Sequence, residues 1–222
     1  MTEVHRPAPY PTHRLIPSRF PPIGLFDTVA TAADLEAVME LAGWTNDRLV
    51  AERIARLPQA QWVYGQPNAS IVMAAFLHVA PEGGRFNGPE LGAWYASAAL
   101  ETAAVEVAHH MRREITVRGA MALRRQFRQY TARLLGAYLD ITGRRAGMGA
   151  VDAPDSYAAS QRLGEDVRAA GQPGILYDSV RHVGGVNAVV LQPRNVADVV
   201  QADHFEIEVT AADRRIAVRR LR

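Results

Sequence analysis

The chain predicts an α+β fold in which helices and strands are segregated rather than alternating, and three observations carry that expectation. Two helical patterns occupy residues 31–57, and short alternating apolar segments crowd the stretch from Gly174 onward. Between them, residues 98–113 are rich in alanine and suit one long helix. Regular strand–helix–strand repetition is missing, so a layered arrangement is favoured over a doubly wound parallel sheet.

The elements follow in order. Residues 1–30 are proline-rich and read as an irregular strap, pinned to the body by Ile16, Phe20, Ile23, Leu25 and Phe26. Thr31 caps a helix whose apolar positions Leu35, Val38, Met39 and Leu41 share a face, and Gly43 ends it. Asn46 opens a second helix through Leu49, Val50, Ile54 and Leu57, with Pro58 just beyond, so the pair reads as a hairpin. From Ile71 the run IVMAAFLHV is apolar over the length of a buried strand, and the turn-rich PEGGRFNGPE follows it. LGAWYAS holds aromatic β-formers and reads as a strand ahead of the alanine-rich helix. Residues 114–142 read as one or two strands, and residues 155–171 as a helix with Tyr157, Leu163 and Val167 inward and Gly171 at its end. GILYDSV, NAVVLQ, HFEIEV and RIAVRRL are short alternating strands separated by turn residues.

Composition removes several function classes. Cysteine is absent, which excludes disulfides, thiolate metal sites and cysteine nucleophiles. Lysine is absent too, so all 25 basic residues are arginine, and neither a phosphate-binding lysine nor Schiff-base chemistry is available. Against 23 acidic residues the net charge is only +2, which by itself does not indicate nucleic acid. Arg124, Arg125, Arg128 and the arginines from Arg214 to Arg222 read as a solvated strand face. No apolar run approaches the ~18 residues of a bilayer span, and the N-terminal segment lacks the apolar core of a secretory signal. A soluble, cytoplasmic protein without a membrane partner is expected.

Four side chains carry the candidate chemistry. Arg85 follows two glycines, so its backbone can approach a ligand while the guanidinium forks onto phosphate oxygens; the plainer reading is a surface-loop arginine. Tyr95, ten residues on, suits a stacked ring but equally a core position. Glu106, eleven further, is flanked by alanine and valine, so its carboxylate is expected to be partly buried and to have a task; an exposed helix glutamate is the alternative. Thr102, Glu106 and His110 recur every four residues and share a helix face. Ser179 sits in a turn, where serines mostly bond local backbone. No HExxH spacing and no GxSxG elbow is present, so neither a metal site nor a serine hydrolase is expected.

The segments THRLIPSRFPPIGLFD, TNDRL, AAFLH, GGRFNG, WYAS, ETAAVEVAHH, SYAASQRL and GILYDSVRHVGG, in this order, resemble the RES-domain family of bacterial toxins from toxin–antitoxin pairs. That family takes its name from an arginine, a glutamate and a serine. The resemblance matches its arginine to Arg85, its tyrosine to Tyr95, its glutamate to Glu106 and its serine to Ser179. It implies a variant of the ADP-ribosyltransferase fold, a split mixed sheet with helices around a cleft for NAD. Residues 61–222 would be the catalytic domain, behind a strap and helical extension of residues 1–60. NAD would be the substrate, with no metal, and Arg85, Tyr95 and Ser179 would bind it. Glu106, Ser179 and Tyr95 would act on the nicotinamide–ribose bond, with ADP-ribose passing to water, phosphate or a protein. No role is carried over to His110 or His182. The implied partner is a cognate helix-turn-helix antitoxin, which would supply any DNA contact. The alternatives are a mono-ADP-ribosyltransferase that modifies one specific protein with little free hydrolysis, and a non-catalytic binding module.

Overall fold

The computed structural model describes residues 3–19, 24, 26–31, 33–34, 48–143, 151 and 156–222. It is a mixed α+β fold with a large mixed sheet and few helices. The strands are β1 (His5–Pro7), β2 (Thr12–Pro17), β3 (Trp94–Ser97), β4 (Ala122–Leu134), β5 (Ala137–Asp140), β6 (Gly174–Asp178), β7 (Val186–Val190), β8 (Val196–Thr210) and β9 (Ile216–Leu221). They form one sheet in the order β1-β5-β6-β7-β3-β2-β4-β8-β9. Only β5 and β6 run parallel among the registered pairs; the others are antiparallel.

The proline-rich strap, expected to be irregular, supplies two strands instead. Its prolines sit at strand ends or between strands, so Thr12–Ile16 are free to pair with Arg128–Ala132 of β4. On its other side β2 meets β3 through the single pair His13↔Ser97. The sheet therefore consists of two halves whose strands are paired in register at one residue, His13 with Ser97.

Among the described residues four α-helices flank the sheet: α1 (Arg48–Ala55), α2 (Ala69–Leu77), α3 (Leu100–Arg118) and α4 (Ala158–Ala169). The first half of the predicted hairpin lies outside the described residues, apart from its start, where the Asp34 N–H donates to Thr31 Oγ1 at 3.1 Å. The apolar run from Ile71, expected as a strand, is the helix α2. A segment apolar on every side reads alike as a buried strand or a buried helix. Here Asp27 decides, because its carboxylate accepts the N–H groups of Asn68 and Ser70 at 2.9 and 2.8 Å and so caps the first turn. Met73, Phe76 and Leu77 of α2 then pack with Trp94, Tyr130, Tyr138 and Leu176 of the sheet. Each such buried side chain contributes roughly 1.5–3 kcal/mol.

On α3 the row Ala104, Ala108, Met111 and Ile115 packs on Phe127, Phe205, Ile207 and Val209. The helix runs five residues beyond the expected Arg113, and Gly119 at φ 62° ends it. The segment after it forms β4 and β5. Alternation along β3, β6 and β7 divides the sheet faces: Trp94, Ala96, Leu176 and Ala188 point into one core, whereas Tyr95, Ile175, Tyr177 and Val189 point to the other. Arg124 of β4 and Arg219 and Arg220 of β9 lie on an exposed face as expected, but Arg128 is buried and Arg125 turns to Glu114 at 3.0 Å, so these two do not belong to the solvated face. Arg124 pairs with Glu208 at 2.8 Å, Arg219 with Glu206 at 2.9 Å and Arg220 with Asp203 at 2.6 Å, so neighbouring carboxylates neutralise this face. No helix among the described residues is long and apolar enough to cross a membrane.

Candidate active site

A cleft of about 950 Å³ opens where the two sheet halves meet. Arg85, Tyr95 and Glu106 all line it, brought from a loop, a strand and a helix. Ser179 is not among the lining residues; at 1% exposure it is buried and donates to the Glu106 carboxylate.

The loop that presents Arg85 is built by its neighbours. Gly83 has φ 77°, and a Cβ there would stand 2.3 Å from the Asn87 carbonyl oxygen, so the turn demands glycine. The Gly84 N–H donates to that same oxygen at 2.9 Å. From β3, the Tyr95 hydroxyl accepts from the Phe86 N–H at 2.9 Å and donates to Asn87 Oδ1 at 2.8 Å. From α4, Gln161 Nε2 donates to the Glu82 and Gly84 carbonyls, while Glu165 Oε1 accepts the Gly88 N–H at 3.0 Å. The Arg85 guanidinium is thereby set against the Tyr157 ring, 5.1 Å from its centroid, and donates to the Val151 carbonyl at 3.3 Å. Burial raises the Tyr95 phenol well above its ordinary range, so it stays protonated and keeps both bonds. Tyr95→Phe removes the pair and is expected to cost about 1–3 kcal/mol of stability. Thermal unfolding checks this, and an unchanged midpoint would show that the hydroxyl does not hold the loop.

Glu106 is fixed by one of its two oxygens. Oε1 accepts from Ser179 Oγ at 2.7 Å and from Asn187 Nδ2 at 2.9 Å. No protein group among the described residues hydrogen-bonds Oε2. Ser179 is held in turn, its Oγ accepting the N–H groups of Arg181 and His182 at 3.1 and 2.9 Å. The His182 ring stands 2.9 Å from Thr102 Oγ1 and ties the turn to α3. Of the helix face Thr102, Glu106 and His110, the first therefore braces the turn, while the other two line the cleft. His109, beside them, is pushed down to about 4, by burial first and by Arg181 next, and is neutral at pH 7.

Three residues at this site went unmarked by sequence reasoning. Asn187 and Ser97 are buried partners of the Glu106 network. Arg14 of β2 lines the cleft, donates to the Tyr95 carbonyl at 2.9 Å and stacks on Trp94 at 4.8 Å. Among the described residues its buried Nε has no hydrogen-bond partner and no carboxylate pairs with it. Burial lowers it to about 10, so at neutral pH it remains a cation. Asn187 carried a usable signal, a polar side chain inside the otherwise apolar VNAVV, whereas Arg14, preceded by Thr12 and His13 in THRLIP, carried none. Chemically, the cleft offers guanidinium groups for phosphate and, at Glu106, a carboxylate oxygen for a positive charge. Among the described residues no group of three or more His, Asp or Glu side chains is gathered for a metal.

Comparison with known proteins bears on which family builds such a cleft. A 78-residue stretch is 37% identical to the uncharacterized protein y4oC of Sinorhizobium fredii and spans 33% of this chain. It covers 32% of that relative, about a third of its length. Among solved structures, a chain from the M. tuberculosis MbcT–MbcA toxin–antitoxin complex is similar at 21% identity with a TM-score of 0.44. The similarity covers 60% of this chain and 74% of that one. The model of the RES domain matches residues 52–210, well over half of the sequence, and the protein belongs to the RES domain family.

Proposed function

We propose that this protein is the toxin of a toxin–antitoxin pair and that it cleaves NAD at the nicotinamide–ribose bond. The observation that carries this reading is the meeting, in one cleft, of guanidinium groups from Arg85 and Arg14 with a carboxylate, Glu106, whose outer oxygen accepts no hydrogen bond from the described residues. The cleft volume lies within the ~300–1,000 Å³ of small-molecule sites. The two sheet halves joined at His13↔Ser97 support an ADP-ribosyltransferase-like split.

In the proposed mechanism Arg85 and Arg14 hold the pyrophosphate, and the Tyr95 ring flanks the nicotinamide riboside. As the C1′–N bond breaks, its electron pair goes to the pyridinium nitrogen and neutral nicotinamide leaves. Positive charge develops on the ribose, and Glu106 Oε2 stabilises it. Ser179 orients the carboxylate rather than the sugar, because its hydroxyl is already committed to Oε1. Water, phosphate or a protein side chain then attacks the ribose carbon. A cognate helix-turn-helix antitoxin would restrain the activity in the cytoplasm by covering the cleft.

The test is incubation of the purified protein with NAD, followed by mass analysis of products with and without phosphate and cell extract. Nicotinamide release is expected, and the ADP-ribose adduct identifies the acceptor. Absence of release under all conditions would overturn the proposal. Arg14→Ala should raise KM for NAD about tenfold through loss of one charge-assisted contact; an unchanged KM would remove Arg14 from the phosphate site.

A further inference from the structure

Asn187 is 3% exposed, yet it lies in the strand VNAVV, where every other residue is apolar. A buried amide is costly unless its groups are paired. Its backbone is held on both sides, opposite Ser97 in β3 and Tyr177 in β6. The side chain is held as well. Ser97 Oγ donates to Asn187 Oδ1 at 2.7 Å, and Ser97 is itself only 4% exposed. With its oxygen engaged, the amide can present only its NH2 end to Glu106, to which Nδ2 donates at 2.9 Å. The reverse orientation would set an oxygen against the carboxylate.

Two donors, Ser179 just after β6 and Asn187 in β7, thus converge on the same carboxylate oxygen from the two sides of one turn. One bond would leave the carboxylate free to swing about it; two fix its plane. We propose that Asn187, locked by Ser97, is a positioning residue that holds Glu106 so that Oε2 alone faces the reacting sugar. The inference rests on the NAD-cleaving reading of this site. It adds a residue and a hydrogen-bond chain that set how well the carboxylate is aimed, and both act on turnover rather than on substrate binding.

The experiment compares Asn187→Asp and Ser97→Ala with the wild type by initial rates of nicotinamide release, thermal unfolding and crystal structures. Asn187→Asp keeps the shape and the bond from Ser97 but turns the donor facing Glu106 into an acceptor. A fall in kcat of about 100-fold, with KM within about threefold, is expected. Ser97→Ala frees the amide to turn over and should lower kcat about tenfold. In the Asn187→Asp structure the Glu106 carboxylate should leave its wild-type rotamer. A kcat near the wild-type value overturns the inference, as does a loss that falls equally on KM and on the unfolding midpoint, which would mark a structural residue. If the wild type itself releases no nicotinamide, the NAD reading fails. The rotamer comparison still decides the positioning role, and an unmoved Glu106 overturns it.

Discussion

Glu106→Gln is expected to lower nicotinamide release from NAD about 1,000-fold, equivalent to ~4 kcal/mol of transition-state stabilisation. The amide is isosteric, and its oxygen can still accept the bonds from Ser179 and Asn187 that the carboxylate Oε1 accepts. The end facing the cleft changes from a charged oxygen to an NH2 group. That end would meet a ribose carrying developing positive charge, so the substitution removes attraction where the barrier is highest and leaves packing alone. KM should change little, because the proposed pyrophosphate contacts lie with Arg85 and Arg14. Initial rates together with thermal unfolding check this. A wild-type rate in a folded variant would remove Glu106 from the chemistry and end the proposed mechanism.

How far the sequence foretold this site depends on which kind of signal each residue left. Arg85, Tyr95 and Glu106 were legible as a spaced set, and all three line the cleft. Ser179 was legible as well, but its depth was not. A serine in a turn was expected to bond local backbone, and it does so through Arg181 and His182 while also donating to Glu106. Asn187 was hidden inside NAVVLQ, which reads as an ordinary strand until the partner of its amide is known. Arg14 was hidden in a strap expected to have no regular structure, since nothing in THRLIP declares that β4 will pair with it. The misreading of α2 has the same origin. Periodicity reports which faces are buried, and a segment buried all round carries no period. What settles such a segment is tertiary, here the Asp27 carboxylate on its first turn.

The charge pattern divides along similar lines. Composition showed many arginines and little net charge, and gave no indication of where pairing would fail. On β4, β8 and β9 the arginines face carboxylates across adjacent strands. Such exposed pairs contribute little to stability, typically ~0–1 kcal/mol. Their consequence is electrostatic, because they neutralise the outer sheet and leave the cleft cations to dominate the local field. On the proposed reading, an anionic ligand would be drawn to the junction of the sheet halves rather than to the arginine-rich face.

Gly164→Ala is expected to have the largest effect of any single methyl group added near the site. A Cβ at position 164 would lie 1.8 Å from the Phe86 carbonyl oxygen and 2.7 Å from its carbon, both of them backbone atoms. No side chain can swing away to relieve that contact, so α4 must move off the loop. The same helix carries Gln161 and Glu165, whose bonds to Glu82, Gly84 and Gly88 shape the turn that presents Arg85. One methyl group therefore disturbs a helix contact and the loop that presents Arg85 together. A destabilisation of about 3 kcal/mol is expected from overpacking, which for a chain of this size lowers the unfolding midpoint by roughly 6–12 °C. At a temperature where the variant is fully folded, KM for NAD should rise more than kcat falls, because the displaced group is Arg85 and not Glu106. A wild-type unfolding midpoint would mean that the helix does not press on the loop. A variant that loses kcat while keeping KM would place the phosphate contacts elsewhere in the cleft.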